Sequence, residues 1–461
     1  MSRKRPDPAG TPAGRAAAGI VRRLQTAGFR AYFAGGAVRD ALLGRPCQDV
    51  DIATSARPLD VKRLFPRAKA VGAAFGVMLV PRRRRRFEVA TFRAEGRYSD
   101  GRHPDEVRFA DEAADVARRD FTANALFYDP VRGRILDMVG GRADIRRRVL
   151  RTVGRPAGRF GEDYLRMLRA ARFAAALGFR VEPRTAAAAR RLAPLAKKVS
   201  RERVREELAK MLAPGGRAAR RSFELLRELG LLREILPELE KLHGLEQPPQ
   251  FHPEGDCWEH TLLALELLPE KAPAALAFAV LLHDVGKGVT ARRDRTGRMR
   301  FNRHAERGAR IAERICRRLA LSNEEREAVV DLVAEHMRFK DLPDMRPGKL
   351  KRFLRSERFG LHLALHRIDC LASHGDLANW RFARRKLREH PPEELRPARL
   401  LTGHDLLALG YPQAPIMGEI LRAVEEEQLE GRLATREAAL EWVRRRYPPE
   451  AARAQAAIKR G

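Results

Sequence analysis

The sequence has 461 residues, too many for one hydrophobic core, so several domains are expected. It carries 92 Lys and Arg against 60 Asp and Glu, and this formal net charge of +32 favours a polyanionic partner, with nucleic acid as the first candidate. A genome biased toward Arg and Ala codons is the alternative explanation for part of this excess. Four scattered cysteines form no CxxC pair, and no signal peptide or membrane-spanning stretch is evident, so we expect a reduced, cytoplasmic protein without membrane contact.

Taken in order, the chain changes from mixed strand and helix patterns to purely helical ones near residue 151. This change predicts an α/β head followed by an all-α neck, a second helical block with spaced histidines, and a helical tail. The expected ranges are a disordered basic segment 1–14, head 15–151, neck 152–245, histidine block 246–376 and tail 377–461.

A glycine pair follows the first predicted strand, Ala31–Ala34. Gly36 permits close approach of a phosphate, and a helix beginning near Ala37 would direct free N–H groups toward it. Arg39 lies in the first turn of that helix, where a guanidinium can grip a phosphate with two hydrogen bonds. This pattern predicts a phosphate-binding turn.

The next predicted strand, 49–52, contains two aspartates separated by one residue. Because side chains alternate along a strand, Asp49 and Asp51 share one face, while Val50 and Ile52 point to the core. Two adjacent carboxylates suit a magnesium ion that holds a triphosphate, although a lone DxD is more often a solvated turn. The chain lacks GxxxxGK[ST] and GxGxxG, which excludes the usual ATPase and dinucleotide-binding motifs.

The run from Gly35 to Thr54, GGAVRDALLGRPCQDVDIAT, resembles the signature of the DNA polymerase beta superfamily. The branch it resembles contains class II tRNA nucleotidyltransferases (CCA-adding enzymes) and bacterial poly(A) polymerases. The resemblance implies that Asp49 and Asp51 hold Mg²⁺ and that Gly36 and Arg39 hold the triphosphate. Glu88, on a predicted strand, resembles the third acid of the metal site, and a solvent-facing edge-strand glutamate is an equal alternative.

A second motif, RRDFTANAL, begins at Arg118. Asp120 and Asn124 are expected one turn apart on a helix with Arg119 at its start, and by resemblance Arg119 contacts the triphosphate. Before this motif, Arg93–Pro104 matches a flexible loop that the resemblance connects with addition of A.

A third motif, EDYLRMLRAARF, begins at Glu162. Asp163 and Arg166 are expected on one face of a helix, where an acceptor beside a donor would complement the edges of cytosine and adenine. An ordinary surface ion pair is the commoner outcome for this spacing alone, and only the position after the other two motifs favours base reading. Arg169 and Arg172 would meet phosphates or brace the motif.

The histidine block places an adjacent His–Asp pair at the end of an apolar run, with further histidines at later helical positions. Such a set predicts a metal site and resembles an HD-domain phosphohydrolase, with Mn, Fe, Co, Ni or Zn as the transition metal. By resemblance the domain acts as a phosphatase or cyclic phosphodiesterase. The expected ligands are His260, His283, Asp284, His304, His336 and Asp369.

Together these motifs imply a tRNA nucleotidyltransferase that adds C and/or A to the tRNA 3′ end from CTP and ATP. Its partners would be tRNA and the two nucleotides. The tail resembles the family's region that binds the tRNA elbow. Three alternatives stay open: a poly(A) polymerase, an enzyme that adds only the terminal A, and a metal-dependent phosphohydrolase whose head merely binds RNA.

Overall fold

The computed structural model describes residues 7–47, 49–71, 76–96, 107–250 and 252–450. These residues divide into two compact units. The first contains the residues up to His243 together with Leu268–Ala272 and Ile315–Leu321, and the second contains the remainder. Within the described ranges, no helix has the length and apolar character needed to cross a membrane.

The head is built on a mixed sheet, formed among the described residues by seven strands in the order β3-β4-β5-β2-β1-β8-β9. β2 and β5 run parallel, whereas the other neighbours in this sheet are antiparallel. A separate hairpin pairs β6 with β7. The strands of the head are β1 Ala31–Ala34, β2 Asp51–Thr54, β3 Lys69–Ala70, β4 Val77–Arg82, β5 Arg85–Thr91, β6 Arg93–Glu95, β7 Val107–Phe109, β8 Phe127–Asp129 and β9 Arg134–Leu136.

Short helices flank this sheet, and aromatic packing fixes its centre. The rings of Tyr32, Phe92 and Phe127 lie 5.7–6.2 Å apart between centroids and are almost completely buried, which is the spacing at which aromatic pairs stabilise a core. The helices are α1 Pro12–Thr26, α2 Gly36–Leu42, α3 Pro58–Leu64, α4 Glu112–Ala117 and α5 Gly141–Arg147, with 3₁₀ turns at Pro8–Gly10 and Thr122–Asn124.

The expectation of disorder for residues 1–14 is wrong for the described part of that segment. α1 already begins at Pro12, because Thr11 caps it by accepting the Gly14 N–H at 3.0 Å. Asp7 likewise accepts a hydrogen bond from the Tyr128 hydroxyl at 3.0 Å. A threonine followed by proline is a recognisable helix start. The charged, Pro/Gly-rich composition of the segment favoured disorder, so this signal was not used in the prediction.

The neck is helical except for one short strand, which corrects the expectation of an all-α neck. β10 Val149–Leu150 pairs in parallel with β11 Arg180–Val181 and so ties the neck to the end of the head. The helices are α6 Pro156–Glu162, α7 Leu165–Leu177, α8 Pro183–Leu192, α9 Arg201–Leu212, α10 Gly216–Glu228, α11 Leu232–Ile235 and α12 Pro237–Glu240, with a 3₁₀ turn at Ala193–Lys198.

The second unit is a set of helices with one hairpin, β12 Arg292–Arg293 and β13 Met299–Arg300. The helix Ala274–Leu282 is apolar on all sides and buried from Leu276 onward, which fixes the adjacent His283 and Asp284 deep inside. The helices are α13 Cys257–Glu266, α14 Ala274–Leu282, α15 Lys287–Thr290, α16 His304–Arg318, α17 Asn323–Glu335, α18 Pro347–Leu354, α19 Phe359–Ala372, α20 Ala378–Glu389, α21 Pro392–Leu395, α22 Gly403–Ala408, α23 Pro415–Leu429 and α24 Arg436–Arg446, with a 3₁₀ segment His336–Asp344.

Candidate active sites

The turn between β1 and α2 brings three parts of the head together. Gly35 has φ +64°, and a Cβ there would lie 3.1 Å from Arg119 Nη1 and 3.5 Å from the Asn124 carbonyl oxygen. Glycine is therefore required both by the left-handed backbone and by the close approach of Arg119. At Gly36 a Cβ would meet only Arg39 Nη2, at 3.6 Å, so packing alone does not demand glycine there.

The paired aspartates lie at the start of β2, which begins at Asp51 and not at Asp49 as expected. β1 ends at Ala34, opposite Asp51, so the ladder has no earlier partner for Asp49. Val50 and Ile52 are buried while both aspartates are exposed, which confirms the predicted alternation.

Glu88 lies beside these aspartates on the neighbouring strand. β2 and β5 pair with Ile52 opposite Val89, so Asp51 and Glu88 are cross-strand neighbours on the same face. Partial desolvation raises the pKa of Asp51, Glu88 raises it further, and Arg119 opposes them. Such crowding of negative charge fits a cation. Among the described residues, however, groups of three possible metal ligands with their atoms within 4.8 Å of one another occur at the histidines of the second unit and not at these carboxylates.

Arg39 is buried, and its guanidinium joins the first two motifs. It donates to Asn124 Oδ1 at 2.5 Å and forms an ion pair with Asp40 at 2.8 Å. Asn124 Nδ2 in turn donates to Asp120 Oδ1 at 3.2 Å. The contact between Asp120 and Asn124 is thus present, but the expected helix is not.

The chain around Asp120 is a loop followed by a 3₁₀ turn. α4 ends at Ala117 because Phe121 forms a β-bridge with Thr152, and the Thr122 N–H donates to the Arg151 carbonyl at 2.9 Å. These backbone contacts need an extended chain, so the segment does not form an α-helix.

Asp120 and Asp115 anchor the arginines of this region. Arg169 pairs with Asp120 at 2.7 Å, and Arg119 pairs with Asp115 at 3.0 Å. Burial by itself would raise the pKa of Asp120, but Arg169 lowers it below the ordinary value. Arg119 also donates to the Asn124 carbonyl oxygen at 3.1 Å, so its guanidinium is fixed beside the glycine turn.

Asp163 and Arg166 do not share a helix face, which corrects the expectation. Asp163 has an extended backbone between α6 and α7, and its Oδ1 accepts the Leu165 N–H at 3.1 Å to start α7. Its carboxylate pairs with Arg203 at 2.7 Å, a partner that the sequence motif did not indicate.

Arg166 is almost completely buried and has partners of its own. It pairs with Glu162 and donates to the backbone carbonyls of Arg159 at 3.2 Å and Arg118 at 3.3 Å. Asp163 and Arg166 are thus held by different partners. Both can contact one base only if their side chains reach the same cleft.

The last residues of the third motif surround one aromatic ring. The guanidinium carbons of Arg39, Arg169 and Arg172 lie 5.5, 5.1 and 4.1 Å from the centroid of Phe173. Arg172 also pairs with the buried Glu207 at 2.6 Å. In this structure Arg169 and Arg172 therefore brace the junction of head and neck.

The loop Arg93–Pro104 falls mainly outside the described residues, which resume at Val107. The strands on either side, β6 and β7, pair antiparallel with Ala94 opposite Arg108.

In the second unit, the six expected metal ligands converge. The Nε2 atoms of His260 and His283 lie 3.1 Å apart, and those of His304 and His336 lie 3.2 Å apart. All but His304 and Asp369 are buried. Burial, followed by His304 and His283, lowers the pKa of His336 to about 3, so this ring is neutral at pH 7.

Hydrogen bonds at the opposite ring nitrogens fix which atoms face the centre. His283, His304 and His336 each direct Nδ1 at a backbone carbonyl three residues earlier, at 2.9, 2.9 and 2.7 Å. A carbonyl only accepts, so Nδ1 carries the proton and Nε2 presents a lone pair. The lone pairs of His304 and His336 thus face each other at 3.2 Å and repel unless a cation lies between them, so these residues fit a metal ion.

Asp284 lies between the two histidine pairs. Its Oδ2 is 3.4 Å from His283 Nε2, and its Oδ1 is 3.5 Å from His304 Nε2 and 3.8 Å from His336 Nε2. Asp369 Oδ1 reaches His260 Nε2 at 3.1 Å. One carboxylate facing two imidazole pairs is an arrangement that can hold two cations.

Three residues around this centre were not predicted. Glu254 accepts from His260 Nδ1 at 2.7 Å, and it contacts His252 at 2.8 Å. Lys287 is buried and lies 2.7 Å from Asp284 Oδ2. The signal for Lys287 was its position three residues after Asp284, one helical turn away.

Comparison with known proteins agrees with this geometry. The sequence profile of the Poly A polymerase head domain matches residues 31–151, the "Probable RNA and SrmB- binding site of polymerase A" matches 178–242, and the HD domain matches 257–372. The CCA-adding enzyme of Lactobacillus johnsonii is 33% identical over 432 residues, which cover 92% of this chain and 95% of the relative. The chain belongs to the family of CCA-adding enzymes.

Two further CCA-adding enzymes show how far the likeness extends. The enzyme of Geobacillus stearothermophilus is 49% identical over 216 residues, but this match spans only 53% of its length. The crystal structure of the Bacillus stearothermophilus enzyme in complex with CTP superposes with a TM-score of 0.71 and 30% identity, and covers 95% of this chain and 99% of that one. The predicted family and fold class are thus confirmed.

Proposed function

We propose that this protein is a tRNA nucleotidyltransferase that adds C and A to the 3′ end of tRNA from CTP and ATP and releases pyrophosphate. The observation that carries the proposal is the face shared by Asp51 and Glu88, next to Asp49 and close to Arg119. A head that merely bound RNA would not need carboxylates crowded in this way. The cytoplasmic location expected from the sequence stays a prediction.

In this reaction the 3′-hydroxyl of tRNA attacks the α-phosphate of the incoming nucleotide. Magnesium, held by Asp49 and Asp51 with Glu88 beside them, would neutralise phosphate charge and lower the pKa of that hydroxyl when bound. Arg39 and Arg119 supply positive charge at the glycine turn, where each is already oriented by Asn124. Gly36 leaves space for a phosphate at the same turn.

Base choice is assigned to Asp163 and Arg166, each held by its own partner. Cytosine and adenine both present an exocyclic amino donor beside a ring-nitrogen acceptor, whereas uracil and guanine do not offer this pair at the same edge. Arg203 holds the carboxylate of Asp163 by two nitrogen–oxygen contacts, at 3.1 and 2.7 Å. A preorganised acceptor of this kind can select a base without a nucleic-acid template.

The test is extension of tRNA transcripts that end before the first C, after CC and after CCA, each with labelled CTP or ATP. We expect two C additions and one A addition, and no extension of the complete end. Long A tails on any RNA would establish a poly(A) polymerase instead. Extension of the CC-ending transcript alone would establish an enzyme that adds only A.

We propose a second, separate activity for the histidine centre: metal-dependent hydrolysis of 2′,3′-cyclic or terminal phosphates. The observation that carries it is the two facing Nε2 pairs with Asp284 between them. Asp284 and one of these pairs, His304 and His336, line a cavity of ≈ 700 Å³ that Lys287 also lines. A divalent transition metal would lower the pKa of a water molecule there. Lys287 places positive charge where a phosphate would lie.

This second activity is tested with 2′,3′-cyclic CMP and with Mn, Ni or Co added separately, alongside the metal content of the purified protein. Ring opening adds water across one P–O bond, so the products carry a terminal phosphomonoester and a free hydroxyl. We expect turnover that needs the metal and that is lost in His283→Ala with Asp284→Ala. Absence of both metal and turnover would contradict the proposal.

A further inference from the structure

The hairpin between β4 and β5 carries five consecutive arginines, Arg82–Arg86, and we call it the arginine hairpin. Arg82 is partly buried and lies against α1, where a Cβ added to Gly19 would come within 2.5 Å of its Nη2. The other four arginines are exposed. Within the part of the chain that the structure describes, these four side chains form no ion pair and no hydrogen bond. Their positive charges are therefore available to an anionic partner.

The backbone of the turn does not explain why arginine stands there. Arg83 and Arg84 have φ of +46° and +62°. Hairpin turns with positive φ at both central residues strongly favour Asn and Gly, because a side chain is unfavourable in the left-handed region. Neighbouring like charges also repel each other. Folding alone thus disfavours arginine at these positions, whereas a bound polyanion would stabilise it there.

Strand pairing places the arginine hairpin beside the carboxylates of the head. β5 runs parallel to β2, and Asp51 at the start of β2 is level with Glu88. β5 begins three residues earlier, at Arg85, so the hairpin extends about 10 Å beyond that level. Because side chains alternate along a strand, Arg86 shares the face of Glu88 and Asp51, whereas Arg85 shares the face of the buried Phe87.

The glycine turn lies on the other side of the same carboxylates. β1 pairs antiparallel with β2 and ends at Ala34, opposite Asp51, so the turn and the arginine hairpin lie at the same edge of the sheet. The strand order β4-β5-β2-β1 puts Asp51 between them. In phosphoryl transfer the attacking and leaving oxygens are roughly in line, on opposite sides of the phosphorus. Since Arg39 and Arg119 are assigned to the triphosphate, from which pyrophosphate leaves, the attacking hydroxyl approaches from the side of the arginine hairpin.

We infer that the arginine hairpin binds the RNA strand that is extended, with Arg86 at a phosphate close to the reacting 3′-hydroxyl and with Arg83 and Arg84 at phosphates further upstream. This inference rests on the nucleotide addition proposed above, and it assigns the side from which the RNA enters the head. Arginine can hold a phosphate with two parallel hydrogen bonds. Phosphate contacts fix position and register without reading sequence, so the hairpin positions the strand while base choice stays with Asp163 and Arg166.

The test compares two adjacent arginines that lie on opposite faces of β5. Arg86→Gln and Arg85→Gln each remove one exposed charge, and only Arg86 lies on the face of the carboxylates. In Arg86→Gln we expect KM for a tRNA that ends in CC to rise about tenfold, the effect of one charge-assisted contact, while KM for ATP is unchanged. The salt dependence of tRNA binding should decrease by about one phosphate. Arg85→Gln is the matched control and should leave all of these constants unchanged.

A tRNA with a neutral methylphosphonate at one of its last linkages, each tested in turn, gives an independent readout. At the linkage that Arg86 contacts, the neutral group should weaken binding to the unaltered protein about tenfold. It should cause no further loss in Arg86→Gln, because both changes remove the same interaction. Additive losses at every linkage, or equal losses in Arg86→Gln and Arg85→Gln, would overturn the inference.

Binding is measured without nucleotide, so this inference and the proposed nucleotide addition can fail separately. If the unaltered protein extends no tRNA, nucleotide addition is refuted, while the affinities still decide whether RNA binds the arginine hairpin. If the unaltered protein extends tRNA but both variants bind it as tightly, the arginine hairpin is refuted and its composition reflects codon usage.

Discussion

At the scale of single residues, the glycine turn offers a matched pair of substitutions. Gly35→Ala forces a β-carbon into a left-handed backbone 3.1 Å from Arg119, whereas Gly36→Ala meets only ordinary contact. We expect Gly35→Ala to lower the free energy of unfolding by about 1–2 kcal/mol. Gly36→Ala should leave stability unchanged and raise KM for CTP and ATP. Thermal unfolding and steady-state kinetics measure both effects, and equal destabilisation by the two variants would contradict the expected difference between the two glycines.

Base selection is also a property of individual side chains. Asp163→Ala and Arg166→Ala should raise misincorporation of UTP and GTP relative to CTP and ATP, because base-edge hydrogen bonds are lost while the carboxylates of β2 are untouched. Arg203→Ala is the informative companion, since it frees Asp163 without removing it. Competition assays with mixed nucleotides provide the measurement, and unaltered misincorporation ratios in all three variants would refute the assignment.

Residue type and spacing were sufficient to predict which residues around the paired aspartates are exposed and which are buried. The alternation of Asp49, Val50, Asp51 and Ile52 gave the correct exposed and buried faces, because a strand has a fixed period of two. The partners Arg203 and Glu254 could not be predicted, since their contacts join segments far apart in sequence and depend on how helices pack.

At the scale of elements, one ion pair links the loop of the second motif to α7. Asp120 is buried with its pKa lowered by Arg169, so its stabilisation is fully present above the ordinary aspartate pKa and is lost as pH falls toward the lowered value. We expect Asp120→Asn to reduce the free energy of unfolding at pH 7 by about 2 kcal/mol.

Thermal unfolding of both proteins between pH 8 and strongly acidic pH checks this expectation. The difference in midpoint should stay constant down to about pH 5 and shrink below the ordinary aspartate value of about 3.9. Arg118→Gln, which weakens a separate pair with Asp115, should not remove the difference between the two proteins. A gap that does not change with pH would show that the pair is not ionic.

Element boundaries show where sequence patterns stop being informative. The chain at Asp120 is a loop that precedes a 3₁₀ turn, because Phe121 bridges to Thr152. The helix expected through Asp163 is interrupted there, because this residue has an extended backbone between α6 and α7. Both motifs contain good helix formers, and local propensity was outweighed by contacts with distant segments. The strand β11 was missed because two residues give no periodicity.

At the scale of the whole molecule, the net charge of +32 predicts strongly electrostatic binding of tRNA. Each phosphate neutralised by Lys or Arg releases counterions, so the logarithm of the affinity should fall linearly with the logarithm of salt concentration. Binding measured between low and physiological salt should show a slope equivalent to several phosphates. A flat dependence would mean that the positive charge reflects codon usage.

We propose that two separate active sites lie in one chain, polymerisation in the head and hydrolysis at the histidines. The direct test assays three proteins, unaltered, Asp51→Asn, and His283→Ala with Asp284→Ala, for CMP and AMP incorporation into tRNA and for opening of 2′,3′-cyclic phosphates. We predict a crossed result: Asp51→Asn loses incorporation by several orders of magnitude and keeps hydrolysis, and the double variant does the reverse. Near-normal incorporation by Asp51→Asn, or loss of both activities from the same substitution, would contradict it.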